Sequence, residues 1–276
     1  MRRFLAQLFP DGPYFEGGTA GRQCTIARHA EIASLVSLVK RQRVDILEVG
    51  SWIGHSALTW SEAIAAFCPE KGTVVCIDPW APYFEDSARN EAGPYLQMEG
   101  LASTGLAYDL FLHNVRFAAS GVNIRHVRGS LPEFEQYLQA ESFDIVYVDG
   151  SHYHDDVRTD LALAERLVRT GGILCGDDLE LQLDECDADF ARANPRSDFM
   201  ADPRTGARFH PGVTTAVRDF FGGRVWSENG VWAMNKVAAR TYAVPPVQRR
   251  RFIVPSQFPE AERAALAASL KRAQGS

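Results

Sequence analysis

The sequence has few of the features that mark secreted or membrane proteins. Its five cysteines are odd in number and form no CxxC pair: Cys24, Cys68, Cys76, Cys175 and Cys186. This argues against a disulfide framework and against a zinc site, and it favours small buried hydrophobic residues. No apolar stretch approaches the roughly 18 residues of a membrane-spanning helix. The N-terminal segment MRRFLAQLFPDG has too short an apolar run for a secretory signal. We therefore expect a cytoplasmic protein without membrane contact.

The chain also lacks an excess of positive charge. Its 35 acidic and 29 basic residues give a net charge of −6, and 46% of the 276 residues are hydrophobic. These values are close to those of ordinary globular proteins. They offer no electrostatic reason to expect nucleic acid as a partner.

Short apolar runs alternate with helical patterns from residue 44 onward, which indicates βαβ units and a mostly parallel sheet. Runs that are apolar on both faces belong to sheets covered by helices on both sides. The predicted strands are 44–49, 73–77, 122–127, 143–148 and 172–175. The predicted helices are 56–67, 131–139 and 154–168, with a helical stripe of apolar residues before the first strand. Two late runs, RVW and VWAM, predict a final antiparallel pair.

We expect one domain over residues 1–237 and a C-terminal tail or arm over 238–276. An insertion at about 79–121 is too long for a simple crossover, which is typical of a lid. Its aromatic residues either pack together or stack on a sugar or an aromatic ring: Trp80, Tyr83, Phe84, Tyr95, Tyr108 and Phe111. In the tail, PPVQRRRF predicts a contact with an acidic group, a solvated segment or an arm between subunits of a homo-oligomer. A helix is expected from Pro259 to Arg272.

A turn with two glycines follows the first predicted strand. Glu48 ends the strand, and Gly50 and Gly54 lead into a helix whose N-terminus favours negative charge. Asp78 ends the second strand, where an acid in a Rossmann-like fold takes both hydroxyls of a ribose. The GSWIG turn lacks the three glycines that a pyrophosphate requires. This disfavours an NAD-linked oxidoreductase and indicates a nucleoside ligand without a diphosphate; tight packing of strand and helix is the alternative explanation of the glycines.

Four segments together resemble a known family: EVGSWIGHSAL, CIDPW, the block from FDIVYVDGSH to GGILCGDDLE, and FHPGVTTAVRDFFG. The resemblance covers about residues 32–234. The family is that of class I S-adenosylmethionine-dependent methyltransferases, which includes macrocin-type O-methyltransferases and cephalosporin-hydroxylase-like proteins. It implies an α/β Rossmann-like methyltransferase fold with a mostly parallel seven-stranded sheet, helices on both faces and an antiparallel last strand. It also implies S-adenosyl-L-methionine as methyl donor and, in several members, a divalent metal.

The resemblance implies the donor site residue by residue. Glu48, Gly50, Ser51 and Gly54 would line the path of the methionine and adenosine, and Asp78 would bind the ribose. Gly129 and Ser130 would lie at the adenine, and Asp149 would border the donor.

Three carboxylates follow the fourth and fifth predicted strands: Asp149, Asp177 and Asp178. If those strands are neighbours, the three acids converge at one edge of the sheet. Like charges placed so closely repel each other unless they are protonated or bind a cation, and their hard oxygen ligands suit Mg²⁺ or another divalent ion. Two alternatives remain: Asp177 or Asp178 caps a following helix, or the acids position the donor without a metal.

His152 comes three residues after Asp149, at the mouth of the expected site. The matching histidine of related sugar O-methyltransferases is a proposed general base, so the resemblance implies that role for His152. His154 and His210 compete for it, because any of the three could accept a proton near neutral pH.

We therefore expect Mg-dependent methyl transfer to a hydroxyl of a small molecule such as a sugar or a natural product. The metal would lower the pKa of the reacting hydroxyl, and Asp149 and His152 would be the catalytic residues. Two alternatives keep the fold: a hydroxylase-like member of the family and a non-catalytic protein that binds the nucleoside.

Overall fold

The computed structural model describes residues 7, 11–15, 24–82 and 94–274. The strands in chain order are β1 Val44–Val49, β2 Gly72–Asp78, β3 Val122–Arg128, β4 Phe143–Val148, β5 Val168–Gly176, β6 Met200–Ala201, β7 Arg208–Phe209, β8 Trp226–Glu228, β9 Val231–Ala238 and β10 Thr241–Ala243. The α-helices are α1 Ile26–Val36, α2 His55–Phe67, α3 Pro94–Ser103, α4 Leu106–Asn114, α5 Leu131–Phe134, α6 His154–Leu167, α7 Ala188–Ala193, α8 Pro211–Phe221 and α9 Glu260–Gln274.

The main sheet has the order β10-β9-β5-β4-β1-β2-β3. Strands β1 to β5 are parallel, and β9 is antiparallel to β5. Both β8 and β10 pair with β9 on the side away from β5, and they pair with different parts of its length. The sheet therefore has eight strands but is only seven strands wide. This confirms the predicted Rossmann-like methyltransferase fold with its parallel sheet and antiparallel end. The chain order reverses between β1 and β4, which places a crevice at the carboxyl ends of these two strands.

Two hydrophobic cores cover the two faces of the sheet, because successive side chains of a strand point to opposite sides. In β1, Ile46 packs with α1 and α2 on one face, and Leu47 packs with α6 and α8 on the other. In β4, Tyr147 and Val148 divide in the same way. Strands that are buried on both faces read as continuous apolar runs, which is why they could be predicted.

Three segments differ from the sequence-based predictions. Strand β5 begins four residues earlier than expected. Helix α5 ends at Phe134 instead of continuing to 139. The chain continues as a 3₁₀ helix over Glu135–Tyr137, and the Glu135 and Leu138 carbonyls accept hydrogen bonds from Arg166. The sheet also extends into the expected tail through β10. The division of the chain into one domain and a tail stays a prediction.

The insertion is in part a packed segment. Trp80 and Phe111 are buried, and their ring centroids lie 4.6 Å apart. Tyr108 contacts His126, with 3.0 Å between Tyr108 Oη and His126 Nε2. These aromatic residues therefore belong to the protein core and its rim. Tyr83, Phe84 and the side chain of Tyr95 lie outside the described residues.

The tail packs against the first helix. Phe258 is buried and lies against His29 of α1, with ring centroids 4.9 Å apart. Arg250 forms an ion pair with Glu31 of α1 and stacks over Trp226 at 4.5 Å. The basic segment therefore binds acidic and aromatic groups of its own chain. None of the described helices is long and apolar enough to span a membrane.

The described cysteines are all free, as expected from their spacing. Four are buried, and only Cys24 is partly exposed. The Cys24 thiol lies 3.5 Å from Asp177 Oδ2.

Candidate active site

One large cavity opens along the carboxyl-terminal edge of the parallel strands. Its volume is about 1040 Å³, at the upper end of the range of about 300 to 1000 Å³ that is typical of small-molecule sites. The described residues that line it come from the ends of β1, β2, β4 and β5, from the loop after β3 and from the start of α1. Ligands of open α/β sheets bind at this position.

Asp78 holds the turn after β1 at one end of the cavity. Its Oδ2 accepts hydrogen bonds from the backbone N–H groups of Ser51 (2.9 Å) and Trp52 (2.8 Å), and Oδ1 accepts one from Trp80 (2.6 Å). Burial raises the pKa of Asp78, and these backbone donors act against the rise. A carboxylate offers about four acceptor positions. One position is therefore left for a ribose hydroxyl, where the sequence predicts that Asp78 binds two.

Gly50 lines the cavity, but glycine is required there because of a close contact with the protein's own backbone and not because of a ligand. Its φ is +83°, and a Cβ there would lie 1.9 Å from the Asp149 carbonyl oxygen. The close approach is between the ends of β1 and β4. Gly50 thus fixes the position of Asp149 relative to the turn.

Glu48 and Gly54 are not among the described residues that line the cavity. Glu48 is fully buried and accepts hydrogen bonds from Ser51 Oγ (2.6 Å), Trp60 Nε1 (3.1 Å) and Cys76 Sγ (3.4 Å). Gly54 is the N-cap of α2, and a Cβ there would lie 3.2 Å from the Phe111 ring. Both residues lie behind the cavity wall and support the turn.

Gly129 and Ser130 line the cavity at the end of β3, as the resemblance implies for an adenine site. Ser130 begins α5 in a capping box with Glu133, whose carboxylate accepts the Ser130 backbone N–H at 2.6 Å. This reciprocal arrangement fixes the backbone at the position where an adenine would lie.

The opposite end of the cavity carries Asp177 and Asp178, and both bind Arg28 of α1. Arg28 Nη1 lies 3.1 Å from Asp177 Oδ1 and 3.1 Å from Asp178 Oδ1, and Nη2 lies 3.1 Å from Glu180. No helix begins between 178 and 187 in the described chain, so Asp177 and Asp178 do not cap one. Burial alone would lower the pKa of Arg28, but Asp177 and Asp178 outweigh it and raise that pKa above its ordinary value.

Asp149 lines the cavity beside this cluster. Burial raises its pKa well above the ordinary value, and the negative charges of Asp177 and Asp178 raise it further. The pKa of Asp178 is lowered instead: burial raises it, but His210, His152 and Arg28 together outweigh the burial. Neighbouring carboxyl groups with pKa values pushed apart in this way are typical of catalytic sites.

His152 lies at the predicted mouth of the site and contacts a carboxylate through each ring nitrogen. Nε2 lies 3.0 Å from Asp178 Oδ2, and Nδ1 contacts Asp198 Oδ1. The His210 ring centroid is 4.4 Å away, and His210 Nδ1 lies 3.0 Å from Glu180 Oε2. His154 binds Asp219 on α8, at 3.3 Å, and does not line the cavity in the described structure.

Two sets of side chains in the described ranges have potential ligand atoms within 4.8 Å of one another. One is His152, Asp198 and His210; the other is Asp178, Glu180 and His210. Neither set contains Asp149 or Asp177. The predicted grouping of Asp149, Asp177 and Asp178 around one ion is thus not the grouping that the side chains form.

The sequence patterns do not predict three charged residues that line the cavity: Arg28, Asp198 and Asp160. Asp160 lines the cavity from α6, and burial, followed by the charge of Asp156, raises its pKa to about 7. Asp198 lies in an irregular segment without a motif. The helical stripe of α1 marks Ile32 and Leu35 as core positions, but an arginine among them gives no signal of where its side chain ends. Only the folded chain brings these groups to the cavity.

The cavity lies at the carboxyl ends of the parallel strands, beside the point where the strand order reverses. Residues 47–179 match the family described as a methyltransferase domain. This match covers a little under half of the chain and runs from β1 to just beyond β5. The match indicates a methyltransferase domain in this segment.

Solved structures overlap this chain only loosely. A protein from Corynebacterium glutamicum has 16% identity, covers 86% of this chain and 88% of its own, and has a TM-score of 0.44. CalS11, a TDP-rhamnose 3'-O-methyltransferase of calicheamicin biosynthesis, has 13% identity, coverage of 84% and 91%, and a TM-score of 0.42. An O-methyltransferase from Bacillus cereus has 14% identity, coverage of 84% and 89%, and a TM-score of 0.41. No curated protein sequence matches the chain.

Proposed function

We propose that the protein transfers a methyl group from S-adenosylmethionine to a hydroxyl group of a small molecule. The observation that carries this proposal is the continuity of the cavity. One end is lined by the turn after β1 and by Gly129 and Ser130, and the other by carboxylates and histidines. A donor and an acceptor bound in one cavity can be aligned for direct transfer, and alignment supplies much of the acceleration in such reactions.

The donor end has the groups that a nucleoside needs. Gly50 and Ser51 face the expected path of the methionine, Asp78 keeps one acceptor position for a ribose hydroxyl, and Ser130 begins the helix at the adenine end. When bound, S-adenosylmethionine supplies an electrophilic methyl group on a sulfonium. The residues of this chain bind the donor, orient it and exclude water from it.

The acceptor end has to remove a proton, and His152 is the residue that we propose for this step. Asp198 at Nδ1 orients the ring, in the way that a carboxylate orients the histidine of other acid–base pairs. His152 Nε2 must be free to accept the proton, but Asp178 Oδ2 lies 3.0 Å from it. The acceptor hydroxyl would therefore replace Asp178 Oδ2 next to Nε2. Asp149 lies beside this position and is the second proposed catalytic residue.

The charge of the acceptor end indicates which acceptors fit. Carboxyl groups outnumber cationic groups there. Five carboxyl groups lie with two guanidiniums and two imidazoles: Asp149, Asp177, Asp178, Glu180 and Asp198, with Arg28, Arg208, His152 and His210. An acceptor with a phosphate or a carboxylate of its own would be repelled. We therefore propose a neutral or amine-bearing hydroxylated acceptor, such as an uncharged sugar or a natural product.

The predicted Mg²⁺ on Asp149, Asp177 and Asp178 stays a prediction, and these side chains do not fit it as they lie. Asp177 and Asp178 both bind the Arg28 guanidinium, and Asp178 also binds His152.

The test uses methyl-deuterated S-adenosylmethionine with an extract of the host's small molecules. Mass spectrometry should find S-adenosylhomocysteine and products that carry one deuterated methyl ether. With the acceptor identified, His152→Gln should reduce the transfer rate by about 100-fold or more, while calorimetry shows unchanged binding of S-adenosylhomocysteine. His154→Gln, outside the cavity, is the matched control. Donor binding without any labelled product would favour a non-catalytic protein, and an equal rate in His152→Gln would remove His152 from the mechanism.

A further inference from the structure

Arg28 binds two of the three carboxylates that the sequence predicts as ligands of a divalent cation. Its guanidinium bridges Asp177 and Asp178 through one nitrogen, at 3.1 Å to each, and reaches Glu180 through the second. Nε donates to the Asn229 carbonyl oxygen at 2.8 Å. All three guanidinium nitrogens therefore have a partner, and three of those partners are carboxylates.

The surrounding chain is shaped to hold this guanidinium. A Cβ at Gly230 would lie 2.1 Å from Arg28 Nη2, so a larger residue there would have to displace the guanidinium from its present position. Gly230 and Asn229 form the turn between β8 and β9, and both have positive φ angles of +87° and +53°. The Arg28 backbone N–H donates to Thr25 Oγ1 at 3.2 Å, at the start of α1. The turn and the helix cap thus fix both ends of the residue.

We infer that Arg28 is the resident cation of an acidic cluster formed by Asp177, Asp178 and Glu180. This cluster does not take up a divalent metal ion while Arg28 is in place. Asp177 is buried and the adjacent Asp178 is partly buried, and carboxylates in such positions need a positive charge close by. A planar guanidinium supplies it with hydrogen bonds in fixed directions, which suits two carboxylate oxygens on one nitrogen. Mg²⁺ would need the same oxygens at roughly 2.0 to 2.1 Å, and it would be repelled by the guanidinium.

This assignment gives Arg28 a positioning role. Asp178 Oδ1 binds Arg28, while its Oδ2 lies 3.0 Å from His152 Nε2. Asp178 has a φ of +61°, a conformation that costs free energy in a non-glycine residue and persists where contacts hold it. Arg28 therefore determines where the carboxylate next to the proposed base lies.

The experiment is a titration of the full-length protein with Mn²⁺, followed by the electron paramagnetic resonance signal of free Mn²⁺. Wild-type protein is compared with Arg28→Met, which keeps a side chain of similar length without the charge. We expect Arg28→Met to bind Mn²⁺ at least about tenfold more tightly than wild type, because the carboxylates lose their cation. Arg28→Lys should stay close to wild type.

Arg224→Met is the matched control, because Arg224 also pairs with two carboxylates, Asp184 and Glu185, but is half exposed. It should gain no Mn²⁺ affinity. A thermal unfolding curve establishes that each variant is folded.

Two outcomes would overturn the inference. In the first, wild-type protein binds Mn²⁺ tightly and loses this binding in Asp177→Asn. In the second, folded Arg28→Met binds Mn²⁺ no better than wild type. If Arg28→Met does not fold, the comparison of wild type with Asp177→Asn still tests the inference. Weak Mn²⁺ binding by both supports it, and tight binding that only wild type shows overturns it. The titration requires no methyl transfer, so its result stands apart from the proposed function.

Discussion

Stability should depend on pH through Asp160. This residue of α6 is 9% exposed, and burial, followed by the charge of Asp156, raises its pKa from 3.8 to about 7. The folded state therefore favours the protonated carboxyl. Its contribution to stability is fully present below the unfolded pKa and is lost as the pH rises through the folded value. With these two pKa values, the loss between pH 5 and pH 8 is about 2 to 3 kcal/mol.

Asp160→Asn should remove this loss, because an amide resembles the protonated carboxyl and does not titrate. Urea unfolding of the ligand-free protein at pH 5, 6, 7 and 8 should show the wild-type stability falling by about 2 to 3 kcal/mol more than that of the variant between pH 5 and pH 8. Glu31, whose pKa is also raised to about 7 by burial, adds the same slope to both proteins and cancels in the difference. Asp155→Asn removes an exposed carboxylate from the same helix and should change stability by less than about 0.5 kcal/mol. Parallel curves for wild type and Asp160→Asn would refute the reasoning.

Three further predictions concern the donor end and the tail. Asp78→Ala should weaken S-adenosylmethionine binding at least tenfold in calorimetry, about 1.4 kcal/mol, because it removes a ribose partner and the acceptor of three backbone donors. Unchanged affinity would place the nucleoside elsewhere. Micromolar binding of NAD would contradict the argument that the GSWIG turn cannot bind a pyrophosphate. Gly50→Ala should destabilise the protein in urea, since its Cβ would lie 1.9 Å from the Asp149 carbonyl oxygen; a fully stable variant would mean that the two strand ends can separate. Phe258→Ala should cost about 3 kcal/mol in urea unfolding, whereas Val244→Ala, at an exposed position of the same tail, should cost little, and equal costs would show that the tail does not pack through Phe258.

The parts of the fold that could be predicted are those with a local pattern. Strands β1 and β4 have the predicted bounds because each is an apolar run buried on both faces. The meeting of Asp149 with Asp177 and Asp178 at one edge also follows from the sequence, since parallel strands end on the same side. Strands β6 and β7 have two residues each, which is too short for any periodicity to appear.

The contacts that determine the chemistry could not be predicted in this way. Arg28 lies 150 residues from Asp178 in the chain, and His152 lies 46 residues from Asp198. No spacing rule connects such pairs. Glu48 shows the converse limit. Its position near the end of β1 resembles that of a donor ligand, but its oxygens already accept hydrogen bonds from Ser51, Trp60 and Cys76. A motif gives the residue type, and only packing shows whether its atoms are still available.

The tail that packs on α1 has a consequence for how the protein becomes functional. Arg28 reaches the acidic cluster from a helix whose other contacts include Arg250 and Phe258, more than 200 residues later in the chain. During synthesis the segment 47–179 emerges long before these residues do. A chain cut short before Arg250 would contain the whole family-matching segment and every motif of the donor end. It would nevertheless lack the tail residues that pack on α1, the helix that carries Arg28. The motifs of the donor end are therefore not sufficient to form the whole candidate site.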